Sequence, residues 1–264
     1  MKQNLRNEKI IGIVGGMGPH AGAALFNEVL RHSSATADQD HLSAILMSFP
    51  GEIVDRTLFL EGKTPVNPAF QIVKVIRMLE SAGAEVVGMA CNTAHASEIF
   101  GVIEEELYQV DSGVKMIHMP LETVRAIKEQ HGGARRIGLM ATNGTCRTGL
   151  YRRLLEARGY EVIQPRPAFQ NNTIHRMVYD PDFGIKARCG HITDEVKTLL
   201  DRTWEYFKAE GTDAIILGCT EFSLTLSLTG NRVRGMVLID STATLAKALV
   251  KEAKTVHYSP ALVQ

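Results

Sequence analysis

Apolar positions along the chain fall into two patterns that alternate: short unbroken runs and longer stretches at helical spacing. The unbroken runs at residues 9–14, 42–48, 85–90 and 114–119 read as buried strands. A strand covered on both faces needs no polar alternation. Between them, residues 21–31, 67–82 and 94–107 carry the three-to-four-residue apolar spacing of helices packed on one side. Pro120 opens a further helix that runs to His131, where Gly132-Gly133 stops it. The pattern then starts again. A strand at 136–141 leads to a turn at 142–145, a helix at 148–158 and a strand at 160–164. A long loop at 165–188, a helix at 192–210 and a strand at 213–218 follow, and a strand at 237–240 and a helix at 243–253 end the series. Strands that alternate with helices predict parallel sheets, because a parallel connection needs a crossover long enough to hold a helix.

The second series repeats the first almost in register. Gly12 to Cys91 spans 79 positions and Gly138 to Cys219 spans 81. The spacing predicts an internal duplication of about 125 residues rather than a short solenoid repeat. The expected fold class is α/β: two similar doubly wound parallel-sheet domains related by pseudo-two-fold symmetry, with an active site in the interdomain cleft. Residues 1–119 with 240–264 are expected to form one domain and residues 120–239 the other. Cys91 and Cys219 each end an apolar strand, and the C-terminal strand ends of a parallel sheet are where ligands bind. A lone cysteine there is ordinarily a small buried hydrophobe. Two at equivalent positions point instead to one acid and one base on opposite sides of a single carbon.

Composition narrows the partners. The 264 residues carry 45% hydrophobic side chains, enough core for one large domain or two smaller ones. Lys plus Arg and Asp plus Glu are equal at 29 each, so no net field favours nucleic acid or an anionic membrane. Residues 1–9 are polar and lack the apolar core of a signal peptide. No apolar run approaches the roughly 20 residues of a membrane span, and the cytoplasm is the expected location. Four cysteines (Cys91, Cys146, Cys189, Cys219) are expected as free thiols there. No Cys-x-x-Cys pair or tight Cys/His cluster has structural zinc spacing, so no metal is expected. His95, four residues after Cys91, reads as a satisfied buried histidine.

Gly15-Gly16-Met17-Gly18-Pro19 joins the first strand to the first helix, a unit that aims backbone N–H groups at an anion. Its spacing departs from the Gly-x-Gly-x-x-Gly of dinucleotide sites, so a small carboxylate is the better ligand, with a pyrophosphate as the weaker alternative. Met17 and Gly18, and in the second half Thr142, Asn143, Gly144 and Thr145, are placed to hold that carboxylate.

Taken together, Gly15-Gly16-Met17-Gly18-Pro19, Asp55-Arg56-Thr57, Cys91-Asn92-Thr93-Ala94-His95 and Leu217-Gly218-Cys219-Thr220-Glu221 resemble the aspartate/glutamate racemases over nearly the whole chain. The first and last of these are similar to the aspartate racemase branch. The resemblance implies a homodimer of two-domain subunits with no cofactor, acting on a small acidic amino acid. One cysteine, as thiolate, removes the α-proton, and the other, as thiol, protonates the opposite face. It also implies that Arg56, and Lys186 in the stretch after Tyr179-Asp180, sit near the cysteines as cations for a side-chain carboxylate. Helix N-termini after each cysteine, with Asn92, Thr93 and Thr220 as donors, would favour the thiolate. Two other readings stay open: an isomerase, lyase or decarboxylase of small dicarboxylates, and a two-domain protein that binds an acidic ligand without chemistry.

Overall fold

The structure, a computed structural model, describes residues 8–189, 191–226 and 230–255. Residues 1–7 and 256–264, the outer ends of the domain division expected from sequence, lie outside the described residues.

The first half contributes β1 (Ile10–Gly15), α1 (Pro19–His32), β2 (Ala44–Ser48), α2 (Arg56–Leu60), α3 (Ala69–Ser81), β3 (Ala84–Met89), α4 (Ser97–Gln109), β4 (Lys115–Ile117) and α5 (Met119–Gln130). Its four strands form one parallel sheet in the order β2-β1-β3-β4. The second half contributes β5 (Arg136–Met140), α6 (Asn143–Arg147), α7 (Leu150–Glu156), β6 (Glu161–Ile163), α8 (Pro167–Phe169), α9 (Arg176–Tyr179) and α10 (Asp194–Ala209). It continues with β7 (Ala214–Leu217), α11 (Thr220–Leu226), β8 (Arg232–Val233), β9 (Met236–Asp240) and α12 (Ser241–Ala253). Its sheet runs β6-β5-β7-β9-β8. The order of the first four strands reproduces the first sheet, and β8 adds a two-residue antiparallel edge that apolar periodicity does not announce.

The duplication is visible in matched packing. A Cβ at Gly12 would lie 2.8 Å from Val87 and 3.4 Å from Leu79 of α3, and one at Gly138 would lie 2.8 Å from Phe207 of α10. Each glycine therefore lets the helix before the cysteine strand lie close on the strand that opens its half. Apolar clusters cover both faces of each sheet. The last helix of each half packs across to the other half. Val124 and Ile127 of α5 join the core of the second sheet with Ile137 and Leu139. Leu245 and Leu249 of α12 join the core of the first sheet with Ile11, Ile13 and Leu25. At roughly 1.5–3 kcal/mol for each fully buried Leu, Ile or Val, this reciprocal exchange binds the halves by several kcal/mol.

Three local expectations need correction. The turn expected at 142–145 is the start of helix α6. The loop expected at 165–188 holds α8, a π-helical turn (Gln170–His175) and α9, whose few residues are too short for a periodic signal. An α-helix directly follows Cys219, but a 3-10 turn (Thr93–His95) separates Cys91 from α4. Among the described residues, no helix is long and apolar enough to cross a membrane.

Candidate active site

The glycine loop after β1 is shaped by close packing as much as by any ligand. Gly22 of α1 comes so near β1 that a Cβ on it would sit 3.0 Å from the Gly15 Cα. Gly16 has a φ of +85°, and a side chain there would meet the Phe49 backbone at 2.9 Å. The chain then turns into α1 with Pro19 in its first turn, leaving Met17 against the seam between the halves.

At that seam a single tight cavity is lined by Met17, Arg56, Cys91, Asn92, Thr93, Thr142, Lys186, Cys219 and Thr220, nine of the residues singled out from sequence. Thr57, Tyr179, Gly218 and Glu221 complete its wall. Its volume is about 10 Å³, room for about one water. Met17, Arg56, Lys186 and Glu221 also line a wider adjoining chamber of about 370 Å³, together with Gly18, Asp55 and apolar Pro50, Ile53, Ile185 and Leu224. Gly144 and Thr145 lie behind Thr93 rather than on the cavity: Thr145 Oγ1 shares a 2.8 Å hydrogen bond with Thr93 Oγ1. Asn143 faces a separate pocket on the other side of α6. All four cysteines are free thiols, with Cys91 and Cys219 buried and Cys189 exposed.

The two thiols have opposite neighbours. Asp55 caps α2 by accepting from the Thr57 and Leu58 N–H groups at 2.8 and 3.0 Å, which fixes Arg56 at the first helical position. Arg56 is 6% exposed. Its guanidinium donates to the carbonyls of Met17 (2.8 Å) and Val54 (3.1 Å) and lies against the Cys91 sulfur. Burial alone would weaken its hold on the proton, but the neighbouring Cys91, Asp55 and Tyr179 raise its pKa further. Arg56 is therefore a permanent cation beside Cys91.

Cys219 instead donates to Glu221 Oε2 at 2.8 Å. Burial, and then the Glu221 carboxylate, push its pKa well above the ordinary thiol value. The N-terminus of α11, expected to favour a thiolate here, is outweighed by these two effects. Cys219 is the proton-bearing thiol in this arrangement.

Lys186 bridges the two sides. Its Nζ donates to Tyr179 Oη at 3.1 Å, lies 4.3 Å from the centre of the Tyr179 ring, and stands 3.9 Å from Glu221 and 4.0 Å from Asp55. Burial opposes its charge, but Glu221, Tyr179 and Cys219 together raise its pKa, so it stays charged. The Tyr179 hydroxyl donates to Asp55 Oδ2 at 3.0 Å, and burial pushes its pKa up to about 12, keeping it neutral. Burial works against the Asp55 carboxylate too, yet Arg56, the Leu58 N–H and Lys186 hold its pKa below the usual value.

Asn92 has another duty than sequence suggests, and His95 is the satisfied buried histidine expected. Asn92 accepts from Tyr151 Oη at 2.6 Å and donates to Ser241 Oγ at 3.0 Å, so its side-chain amide ties the Cys91 loop to α7 and α12. His95 is buried with both ring nitrogens engaged. Its Nε2 accepts from the Met119 N–H at 3.3 Å, which leaves Nδ1 as the donor to the Cys91 carbonyl at 2.9 Å. Burial, then His118, lower its pKa to about 3. A neutral His95 thus positions the backbone of Cys91. Among the described residues, no group of three or more His, Cys, Asp and Glu side chains could hold a metal ion.

Two parallel-sheet α/β domains thus set a pair of buried thiols around one cavity, each beside a different charged neighbour. The chain belongs to the Asp/Glu/hydantoin racemase family, which matches it over residues 14–249. It is 26% identical over 247 residues to the broad specificity amino-acid racemase RacX of Bacillus subtilis, covering 91% of this chain and 96% of that one. It is 29% identical over 183 residues to the glutamate racemase of Aquifex aeolicus, covering 65% and 59% of the two chains. Among solved structures it is similar to the aspartate racemase of Picrophilus torridus, with a TM-score of 0.71 and 27% identity over 93% of this chain and 94% of that one.

Proposed function

We propose that the protein racemises an acidic amino acid, aspartate ahead of glutamate, by proton transfer between Cys91 and Cys219. The observation that carries this reading is that both thiols line one cavity, with Arg56 at one sulfur and Glu221 at the other. Cys91, facing a fixed cation, takes the α-proton as thiolate. Cys219, its proton held toward Glu221, delivers one to the opposite face. The carbanion that forms between them is stabilised through the substrate carboxylate, for which Lys186 and the Thr142 and Thr93 hydroxyls on the cavity wall are the proposed donors. Reaction in the reverse direction exchanges the roles of the two thiols. No cofactor enters these steps.

In this reading residues 1–119 with 240–264 form one unit and 120–239 the other, supported by the reciprocal packing of α5 and α12. Aspartate stands ahead of glutamate because the glycine loop and the Gly-Cys-Thr-Glu sequence resemble the aspartate racemase branch. The kinship to a broad-specificity racemase makes substrate range the first question to test. A panel of amino acids assayed with wild type and Arg56→Ala decides it. Loss of a buried charge that serves the reacting groups costs about 2–5 kcal/mol, so kcat/KM on aspartate should fall by roughly 30- to 5,000-fold. If alanine or serine racemises as fast as aspartate, the acidic-substrate reading fails, and if Arg56→Ala is silent, Arg56 does not serve Cys91.

A further inference from the structure

Glu221 touches both the tight thiol cavity and the wider chamber beside it. It stands in the wall of each, and its side chain keeps 10% of its surface exposed. One oxygen faces the thiol: Glu221 Oε2 accepts from Cys219 Sγ at 2.8 Å and from Thr220 Oγ1 at 3.4 Å. The other faces away from it. Oε1 stands 3.9 Å from Lys186 Nζ, and a Cβ on Gly18, which lines the chamber, would lie 3.6 Å from Oε1. Cys219 itself is buried and lines the cavity but not the chamber. Its sulfur therefore meets the solvent side through a carboxylate.

Proton transfer between two thiols leaves the enzyme in the wrong state for a second molecule of the same enantiomer. The Cys91 thiolate has become a thiol, and the Cys219 thiol a thiolate. Before the next turnover one proton must leave Cys91 for solvent and one must reach Cys219 from solvent. Arg56 favours the first loss, because it stabilises the Cys91 thiolate. We propose that Glu221 is a catalytic residue that carries the second proton, a role that rests on the two-thiol reaction. Oε1 takes the proton from a hydronium ion in the chamber, leaving water. The carboxyl then makes a half-turn about its Cγ–Cδ bond, a soft torsion, and presents its O–H to the sulfur. The O–H bond breaks as the S–H bond forms, and the carboxylate is restored. A thiolate beside a carboxylate drives this transfer, because like charges at close range favour the protonated form. With the opposite enantiomer the same steps run in reverse.

Initial rates with a single enantiomer separate this reset from the proton transfers at carbon. At low substrate the free enzyme resets between encounters, so kcat contains the step and kcat/KM does not. Glu221→Gln keeps an acceptor and the shape of the side chain but cannot carry a proton. Its kcat should fall about tenfold or more, with a smaller fall in kcat/KM and hence a lower KM. Glu221→Ala opens a space beside Cys219. Formate should raise the kcat of that variant in proportion to its concentration, whereas formamide, of the same shape but without an acidic proton, should not. Full kcat in Glu221→Gln, equal falls in kcat and kcat/KM, or rescue by formamide as well as by formate overturns the relay. Those results leave the two-thiol reaction standing as long as Cys91→Ala and Cys219→Ala are inactive. Wild-type protein that racemises no amino acid overturns both.

Discussion

Arg56 serves two walls of the cavity with one guanidinium: it fixes the glycine loop through the Met17 carbonyl and faces the sulfur of Cys91. His95 acts on the same cysteine from the backbone side, and its neutrality has a measurable consequence. A histidine held near pKa 3 when folded and near 6.5 when unfolded stays unprotonated in the native state while the unfolded chain takes up a proton. Its contribution is fully present above pH 6.5 and is lost as pH falls from 6.5 towards 3, amounting to about 2 kcal/mol by pH 5. Urea unfolding at pH 7.5 and pH 5 should therefore show wild type losing about 2 kcal/mol more than His95→Gln, which has no proton to gain. Equal losses in the two proteins would remove His95 from the account. At this scale the cysteines were legible because each ends an apolar strand within a repeat. The duties of Asn92 were not, because its partners Tyr151 and Ser241 lie 59 and 149 positions away. Glu221 and Asp55 stood inside quoted motifs, but only the folded arrangement shows which thiol or cation each one faces.

Between elements, the tightest contact near the site is the seam of α2 and α6. A Cβ on Gly144 would sit 2.7 Å from Thr57 Oγ1 and 2.9 Å from Thr93 Cγ2, so the helices meet across a glycine. Gly144→Ala must push α2 away or turn both threonines. The expected cost is about 1–3 kcal/mol of stability, with a larger proportional loss of activity because Arg56 and Thr93 stand on the displaced parts. Denaturant unfolding alongside kcat/KM checks this. An unchanged kcat/KM would show that the seam does not position the site. Long elements were legible here from apolar period alone, α3 and α10 among them. Short ones such as α2, α6 and α9 were not, since a single turn gives no period and forms only because tertiary contacts hold it.

For the whole molecule, duplication explains why one cavity has two thiols. Each half supplies a strand that ends in cysteine, and the exchange of α5 and α12 between the two cores brings those strand ends together. That arrangement followed from the repeat of 79 and 81 positions. The asymmetry of charge did not, because the position two after the cysteine is Thr93 in one half and Glu221 in the other, and spacing alone does not say that Arg56 will stand beside Cys91. A cavity of about 10 Å³ cannot take an amino acid as it stands, so the proposed reaction requires the wall around the thiols, part of which it shares with the adjoining 370 Å³ chamber, to move.

The central claim is that Cys91 and Cys219 exchange protons with opposite faces of one α-carbon. The most direct measurement is proton magnetic resonance of L- and D-aspartate incubated in deuterated water with wild type, Cys91→Ala and Cys219→Ala. With wild type the account predicts deuterium at the α-carbon and loss of optical rotation, the newly formed enantiomer carrying solvent deuterium from its first turnover. Each single variant should abolish racemisation, since each lacks the acid or base on one face. Racemisation that survives either substitution, or wild-type protein that exchanges no α-proton of any amino acid, would contradict it.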